Sequence, residues 1–366
     1  MSVVHGGNVY EISSLLGCAP EAVLDYSASI NPLGPPPGLL EEFNRYYSRL
    51  QHYPDIGNRM LLNALSRFHG VACDQIVVGN GSTELIYWLP IVLGIRSAVV
   101  VLPTFGEYRK AFELQGVRMH KLFTSPESGF QPTVEQLDTI CREVSPEAVL
   151  FTQPASPAGT LLPQEVRNWI VRKSRETNLC CIVDEVFVDF CEDESLKGFL
   201  GESPRLVLIR SMTKFYGIPG LRLGYLLTSE DLAGRMKSAL PPWSVNTLAQ
   251  IAGEHSLGQE GYRRETLDIV ERERRHMTER LEAMKVFRVF PGNANYLLVR
   301  IEDSLPDAGV LQRDIIDSER IIVRDCRSFE GLNERYFRLA VRLPEQNDRL
   351  LAGIERWVKA YSSGKP

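Results

Sequence analysis

The chain reads as an α/β protein in which a large domain on a mostly parallel sheet is followed by a smaller α+β domain. Three observations predict this. Short β-branched runs, apolar on both faces, recur along the first two thirds; amphipathic segments separate them; and the pattern changes after Trp243. Strands buried on both faces read as continuous apolar runs, and helices between them cover the two sides of such a sheet.

Residues 1–35 read as an irregular arm that ends in INPLGPPPG, a proline-rich stretch that can continue neither a helix nor a central strand. The large domain is expected over 36–245. It begins with a helical stretch around Leu61 to Phe68, a strand at Ile76 to Gly79, a helix from Ser82 to about Leu93 and a strand at Ala98 to Leu102. The clearest buried strands are AVLFTQ (148–153), CCIVDE (180–185) and RLVLIRS (205–211), with an amphipathic segment at 163–177 after the first. A small domain is expected over 246–366: one long charged helix from about Asn246 to Met284, then the strand-like ANYLLVRI, RIIVRDC and YFRLAVR. No internal repeat and no low-complexity linker interrupts this order.

At 366 residues the chain exceeds one small core, given roughly 150 residues per domain. Its 44% hydrophobic and 24% charged residues are ordinary globular usage, which excludes a disordered or fibrous class. A net charge of -5 without a basic tract disfavours nucleic acid or an anionic membrane as partner. Seven scattered cysteines form no CxxC or zinc-ligand pattern, so reduced thiols and no metal site are expected. The first residues lack a basic-then-apolar leader, and no apolar run approaches the roughly 20 residues that span a bilayer. A soluble cytoplasmic protein is the expectation.

Three segments carry chemistry. SMTKFYGIPGLRLGY (211–225) follows an apolar strand and orders a hydroxyl, a lysine, a glycine-rich stretch and an arginine. A lysine amine can form an imine with an aldehyde cofactor, given neighbours that depress its pKa and hold the cofactor's anchor. Ser211, three residues before Lys214, and Arg222, eight after it, could bind one phosphate, the arginine as a bidentate donor. A lone lysine in such a loop would read as a solvated base; the glycines, the spacing and the strand context together favour the cofactor reading.

In IVDEVFVDF an apolar strand ends in Asp184, where a carboxylate can keep a pyridine nitrogen protonated and make the ring an electron sink. Alone, it would read as a turn cap. VVGNGSTELIYWL (77–89) places Gly81 between strand and helix, letting the backbone approach an anion near the amides of Ser82 and Thr83. The same letters also suit an ordinary helix cap. Phe105, in VLPTFGEY, is a candidate to stack on the cofactor ring, although an isolated aromatic there is more often a core residue.

With these residues in place, the chain resembles fold-type I pyridoxal-phosphate enzymes of the class II aminotransferase group over nearly its whole length. Within that group it is most similar to the threonine-phosphate decarboxylases of cobalamin biosynthesis, with the histidinol-phosphate aminotransferases next. The resemblance implies an aspartate-aminotransferase-like fold with a seven-stranded sheet, pyridoxal 5'-phosphate as cofactor, and a homodimer with active sites at the subunit interface. It makes Lys214 the Schiff-base lysine, Asp184 the pyridinium partner, and Ser211, Arg222, Gly81 and Ser82 the phosphate cup. Tyr53, in QHYPD, is similar to the tyrosine that reaches the neighbouring subunit's cofactor phosphate.

On the substrate side the resemblance points to His5 in HGGN, Asn31 in SINPLGPP, Arg324 in IIVRDC and Arg338 in YFRLAVR. Two arginines suit a substrate with both a carboxylate and a phosphate. Two departures stand out. Ser156, in Ser-Pro-Ala-Gly, replaces the usual asparagine that donates to the cofactor 3'-oxygen, and Phe187 replaces a tyrosine typical of the aminotransferase branch. The expected activity is decarboxylation of L-threonine O-3-phosphate to (R)-1-amino-2-propanol O-2-phosphate and carbon dioxide, with L-serine O-phosphate as a rival substrate. The alternative is transamination of histidinol phosphate with 2-oxoglutarate. A non-catalytic DNA-binding regulator of this fold would carry an appended basic helix-turn-helix, which the sequence lacks.

Overall fold

A computed structural model describes residues 6–363. The strands in chain order are β1 (Leu24–Asp25), β2 (Ile76–Asn80), β3 (Ser97–Leu102), β4 (Arg118–Phe123), β5 (Ala148–Thr152), β6 (Cys180–Asp184), β7 (Leu206–Ser211), β8 (Leu223–Leu227), β9 (Phe287–Phe290), β10 (Tyr296–Ile301), β11 (Ile321–Ile322), β12 (Arg324–Asp325) and β13 (Tyr336–Ala340). β2 to β8 form one seven-stranded sheet in the order β2-β8-β7-β6-β5-β3-β4. β8 runs antiparallel to β2 and β7, and the other pairings are parallel.

Every residue of β5, β6 and β7 is buried, as their unbroken apolar runs require. Side chains alternate between faces, so Ile182, Val207 and Ile209 pack with Leu85 and Ile86 of the helix Gly81–Leu93. Cys181, Val183, Leu206 and Leu208 join the opposite core, with Trp169 and Ile170 of the helix Gln164–Glu176. The loops that carry chemistry leave the carboxyl ends of β5, β6 and β7, where open α/β sheets bind ligands.

The C-terminal part packs a four-stranded antiparallel sheet, β12-β13-β10-β9, against helices Ala308–Glu319 and Pro344–Ser362 over a separate core. Two expectations change here. The single long helix is two, Thr247–Leu257 and Glu260–Ala283, because Gln259 leaves helical geometry with ψ 67°. The arm is not irregular throughout: it holds the helix Val9–Leu15, and β1 pairs in parallel with β11. That pairing seats residues 24–29 against the C-terminal sheet, where Ala340 N–H donates to Tyr26 O at 2.9 Å.

Candidate active site

A cavity of about 1170 Å³ opens over the carboxyl ends of the central strands, lined from the large sheet's loops, the arm and the C-terminal sheet. Lys214, Asp184, Ser211, Arg222, Ser82, Thr83, Phe105, Ser156, Arg324 and Arg338 all border it. Ten residues scattered from Ser82 to Arg338 thus meet in one place.

β7 delivers the lysine. Ser211 ends the strand and caps the four-residue helix Met212–Phe215, its Oγ accepting from Thr213 N–H at 3.2 Å and sharing a 2.8 Å bond with Thr213 Oγ1. Crowding by protein lowers the Lys214 amine from 10.5 to about 8, helped by the positive charges of Arg338 and Arg222; Asp184 and Asp25 oppose the shift. An amine so lowered is substantially neutral near pH 8 and able to attack a carbonyl carbon.

β6 delivers the carboxylate. Asp184 is buried, and burial pushes its pKa up to about 7 although Val186 N–H donates to Oδ1 at 2.8 Å and Lys214 pulls the other way. Tyr108 O–H donates to Oδ2. A buried carboxylate held this high gains most from a cationic N–H placed against it.

The anion cradle forms between β2 and β8. Gly81 turns the chain at φ +74° into the helix Gly81–Leu93, whose first amides have no intrahelical acceptor. Asn80 N–H donates to Glu84 Oε2 at 2.7 Å and holds this turn. β8 presses so closely that a β-carbon on Gly224 would lie 2.2 Å from Ser82 N, which explains the glycine in GLRLGY. Arg222 adopts φ +59°, a left-handed conformation uncommon for a side-chain-bearing residue, and its guanidinium lies over Gly81.

The C-terminal sheet supplies the other cations. Arg324 and Arg338 are register partners on β12 and β13, both buried, both at the cavity wall. Arg338 donates to Ser156 Oγ at 3.4 Å and Ser27 O at 3.2 Å, while Arg324 donates to Ser328 Oγ at 2.7 Å. Phe329 lies beneath both guanidinium groups, at 5.4 Å from Arg324 and 5.8 Å from Arg338. Phe187 offers no donor; its ring meets Tyr296 edge-on at 4.9 Å.

One expected residue is placed otherwise. Asn31 does not line the cavity: its amide donates to Phe215 O at 2.6 Å and Thr266 Oγ1 at 2.8 Å, its Oδ1 accepts from Leu33 N–H, and its own N–H donates to Lys214 O. It ties the arm to the lysine's backbone, and no donor of its amide is left for a substrate. Tyr53 stands 79% exposed, stacked on Trp243 at 4.7 Å and away from this chain's cavity. His5 lies outside the described residues, although Gly6 borders the cavity and packs on Ser27.

Sequence reading missed Tyr108, Thr213, Ser27 and Ser328. Tyr108 had a signal, since it lies three positions beyond Phe105 at a helix start and so returns to the same side. Thr213 sits beside Lys214 in the same motif. Ser27 and Ser328 come from loops with no recognisable pattern.

The donor set fits pyridoxal phosphate: an amine with lowered pKa, a buried carboxylate that lacks a cationic partner of its own strand, and an anion cradle that a β-carbon would fill. A family model described as aminotransferase class I and II matches residues 22–354. The chain belongs to the aminotransferase class I and II family. It is 37% identical to the threonine-phosphate decarboxylase of Salmonella typhimurium over 356 residues, covering 96% of this chain and 95% of that one. A histidinol-phosphate aminotransferase of Desulfitobacterium hafniense is 31% identical, over 96% and 94%. Among solved structures, the histidinol-phosphate aminotransferase of Clostridium acetobutylicum superposes with a TM-score of 0.85 at 27% identity, covering 92% of this chain and 99% of that chain. The fold is aspartate-aminotransferase-like, fold type I.

Proposed function

We propose that this family member is a pyridoxal-phosphate-dependent decarboxylase that converts L-threonine O-3-phosphate to (R)-1-amino-2-propanol O-2-phosphate and carbon dioxide, a step of cobalamin biosynthesis. The observation that carries the reading is the pair Arg324 and Arg338, side by side and buried at the cavity wall, which suits a small substrate with two anionic groups. The 37% identity to a threonine-phosphate decarboxylase, against 31% to a histidinol-phosphate aminotransferase, favours decarboxylation.

Lys214 would hold the cofactor's aldehyde carbon, Asp184 would keep its ring nitrogen protonated, and Phe105 would pack on the ring. Arg222 and Ser211, with the amides of Ser82 and Thr83, would hold its phosphate, and Ser156 would offer its hydroxyl to the 3'-oxygen. Bound there, the cofactor's protonated ring accepts the electron pair released at the substrate's α-carbon. Arg324 and Arg338 bind the carboxylate and the phosphate and orient the α-carbon, so that its bond to the carboxylate breaks and not its bond to hydrogen. The Lys214 amine, freed when the substrate's amine takes its place on the aldehyde carbon, would then return a proton to the α-carbon.

The chain divides into the arm 1–35, the large domain 36–245 and the small domain 246–366, and works as a homodimer. Exposed Tyr47, Leu50, Tyr53, Ile56 and Met60 cluster in one segment beside Trp243, an apolar surface that a second copy would cover while Tyr53 reaches its cofactor. Seven free cysteines suit a reducing cytoplasm, and no helix among the described residues is long and apolar enough to cross a membrane.

The test is to incubate protein loaded with pyridoxal phosphate with threonine phosphate and follow carbon dioxide and amine. A parallel reaction offers histidinol phosphate and 2-oxoglutarate. Carbon dioxide in the first is the expected outcome. Glutamate in the second without carbon dioxide in the first assigns the aminotransferase activity instead. Serine phosphate in place of threonine phosphate ranks the two candidate substrates.

A further inference from the structure

Behind the sheet, opposite the cavity, lies a set of charges that the proposed chemistry does not touch. Glu185 and Arg210 are both 0% exposed and joined at 3.0 Å through Nη1 and Oε2. Arg210 also reaches Glu192 and Asp189, Arg263 pairs with Asp189 at 3.5 Å, and Lys197 pairs with Glu192. Three acids, Glu185, Asp189 and Glu192, thus face three bases, Arg210, Lys197 and Arg263, and the set is neutral. His69, pushed down to about 2 by burial, adds no charge.

Stability alone does not account for such a set, because desolvation of a buried pair commonly cancels its attraction. Arg210 Nε and Asp189 Oδ2 are even left without hydrogen-bond partners. Position offers the account. Each member of the central pair directly adjoins a cavity residue: Glu185 follows Asp184, and Arg210 precedes Ser211. Alternation sends Asp184 and Ser211 to the cavity side and Glu185 and Arg210 to the other.

The last backbone rung between these strands is Glu185 N–H to Ile209 O at 2.8 Å. Beyond it β6 and β7 part, towards Val186 and towards Lys214. The ion pair crosses at this point of separation. Glu185 Oε1 also accepts from Leu196 N–H at 2.8 Å and Oε2 from Ser195 O–H at 2.7 Å, which anchors the carboxylate to the loop behind.

We infer that Glu185 and Arg210 are positioning residues, whose buried ion pair clamps the ends of β6 and β7 from behind and so sets the spacing of Asp184 from Ser211 and Lys214. The inference rests on the cofactor reading given above. Neither residue touches cofactor or substrate.

The test uses the full chain carrying Glu185→Gln with Arg210→Met. Glutamine keeps an acceptor for Leu196 N–H, and the remaining two acids and two bases still balance, so the variant loses the clamp without stranding a charge. Three quantities are compared with the parent: the dissociation constant of pyridoxal phosphate by equilibrium dialysis, the melting temperature of the cofactor-free protein, and kcat and KM for threonine phosphate. The clamp predicts affinity for the cofactor weakened at least about tenfold and kcat lowered, with KM and melting little changed. Parental cofactor affinity overturns it, as does a fall in melting temperature with kcat and affinity intact. Should the double variant not fold, Arg210→Lys decides: it keeps the charge but cannot fork between Glu185 and Glu192. An intermediate loss of affinity supports the clamp and parental affinity overturns it. A parent that binds no pyridoxal phosphate overturns the underlying reading as well, whereas a parent that binds it beside a variant of equal affinity overturns the clamp alone.

Discussion

Arg222 occupies the space that a side chain on Gly81 would fill, for a β-carbon there would lie 2.5 Å from Arg222 Nη2. Gly81→Ala must therefore displace the guanidinium from the anion cradle, and it also strains a backbone held at φ +74°. The expected result is a loss of pyridoxal-phosphate affinity of at least about tenfold, the scale of one charge-assisted hydrogen bond. Gly94→Ala is the control. It has nearly the same backbone, φ +65°, but open space around it, so it should cost about 1 kcal/mol of stability and leave affinity unchanged. Dialysis and thermal melting on both variants separate the two effects.

The central strands were legible because burial on both faces writes itself into composition: AVLFT, CCIVD and LVLIRS have no polar alternation to blur them. β4, RMHKLF, mixes exposed and partly buried residues at the sheet edge and gave no such signal. Local motifs likewise pointed to Lys214, Asp184 and Arg222, which line the cavity, and to Gly81 beneath Arg222, because each stands at a fixed spacing from the end of one strand. Asn31 shows the limit. Its neighbours in space are Phe215 and Thr266, 184 and 235 positions away, and no pattern around residue 31 tells that its amide is occupied.

Arg324 and Arg338 should each act mainly on substrate capture. Alanine at either position removes a charged donor from one anionic group and is expected to lower kcat/KM for threonine phosphate by about a hundredfold. Arg338→Lys should not restore it, since lysine cannot fork between Ser156 Oγ and Ser27 O while meeting an anion. Steady-state kinetics across substrate concentrations check this. An unchanged kcat/KM in both alanine variants removes the two-anion reading of the wall.

Asn31→Ala should behave differently. It removes the amide donor from Thr266 Oγ1 and one of the two donors to Phe215 O, which keeps Tyr262 O–H at 3.2 Å, a defect of about 1–3 kcal/mol in stability inside a buried site. Because the Asn31 side chain does not border the cavity and alanine keeps the backbone bond to Lys214 O, KM for threonine phosphate should stay at the parental value while the melting temperature falls. A raised KM at parental stability would return Asn31 to the substrate.

Asp184 sets function against stability. Burial raises its pKa from 3.8 to about 7, so in the cofactor-free protein the folded state keeps a proton that the unfolded chain has already lost. The stability this contributes is complete below about pH 3.8 and is lost as the pH rises through about 7. Above that, a buried carboxylate must be carried without a cationic ring beside it. Asp184→Asn removes the burden, so the cofactor-free variant should be more stable than the parent near pH 8, by a few kcal/mol at most, and the two should converge near pH 4. Lys214, lowered to about 8, loses stability as pH falls through that value, but comparison at one pH cancels most of this. The loaded variant should decarboxylate at least about a hundredfold more slowly, because an amide cannot keep the ring nitrogen charged. Melting curves at the two pH values and a single-turnover rate test both halves, and equal stability near pH 8 would show that the fold bears no such charge.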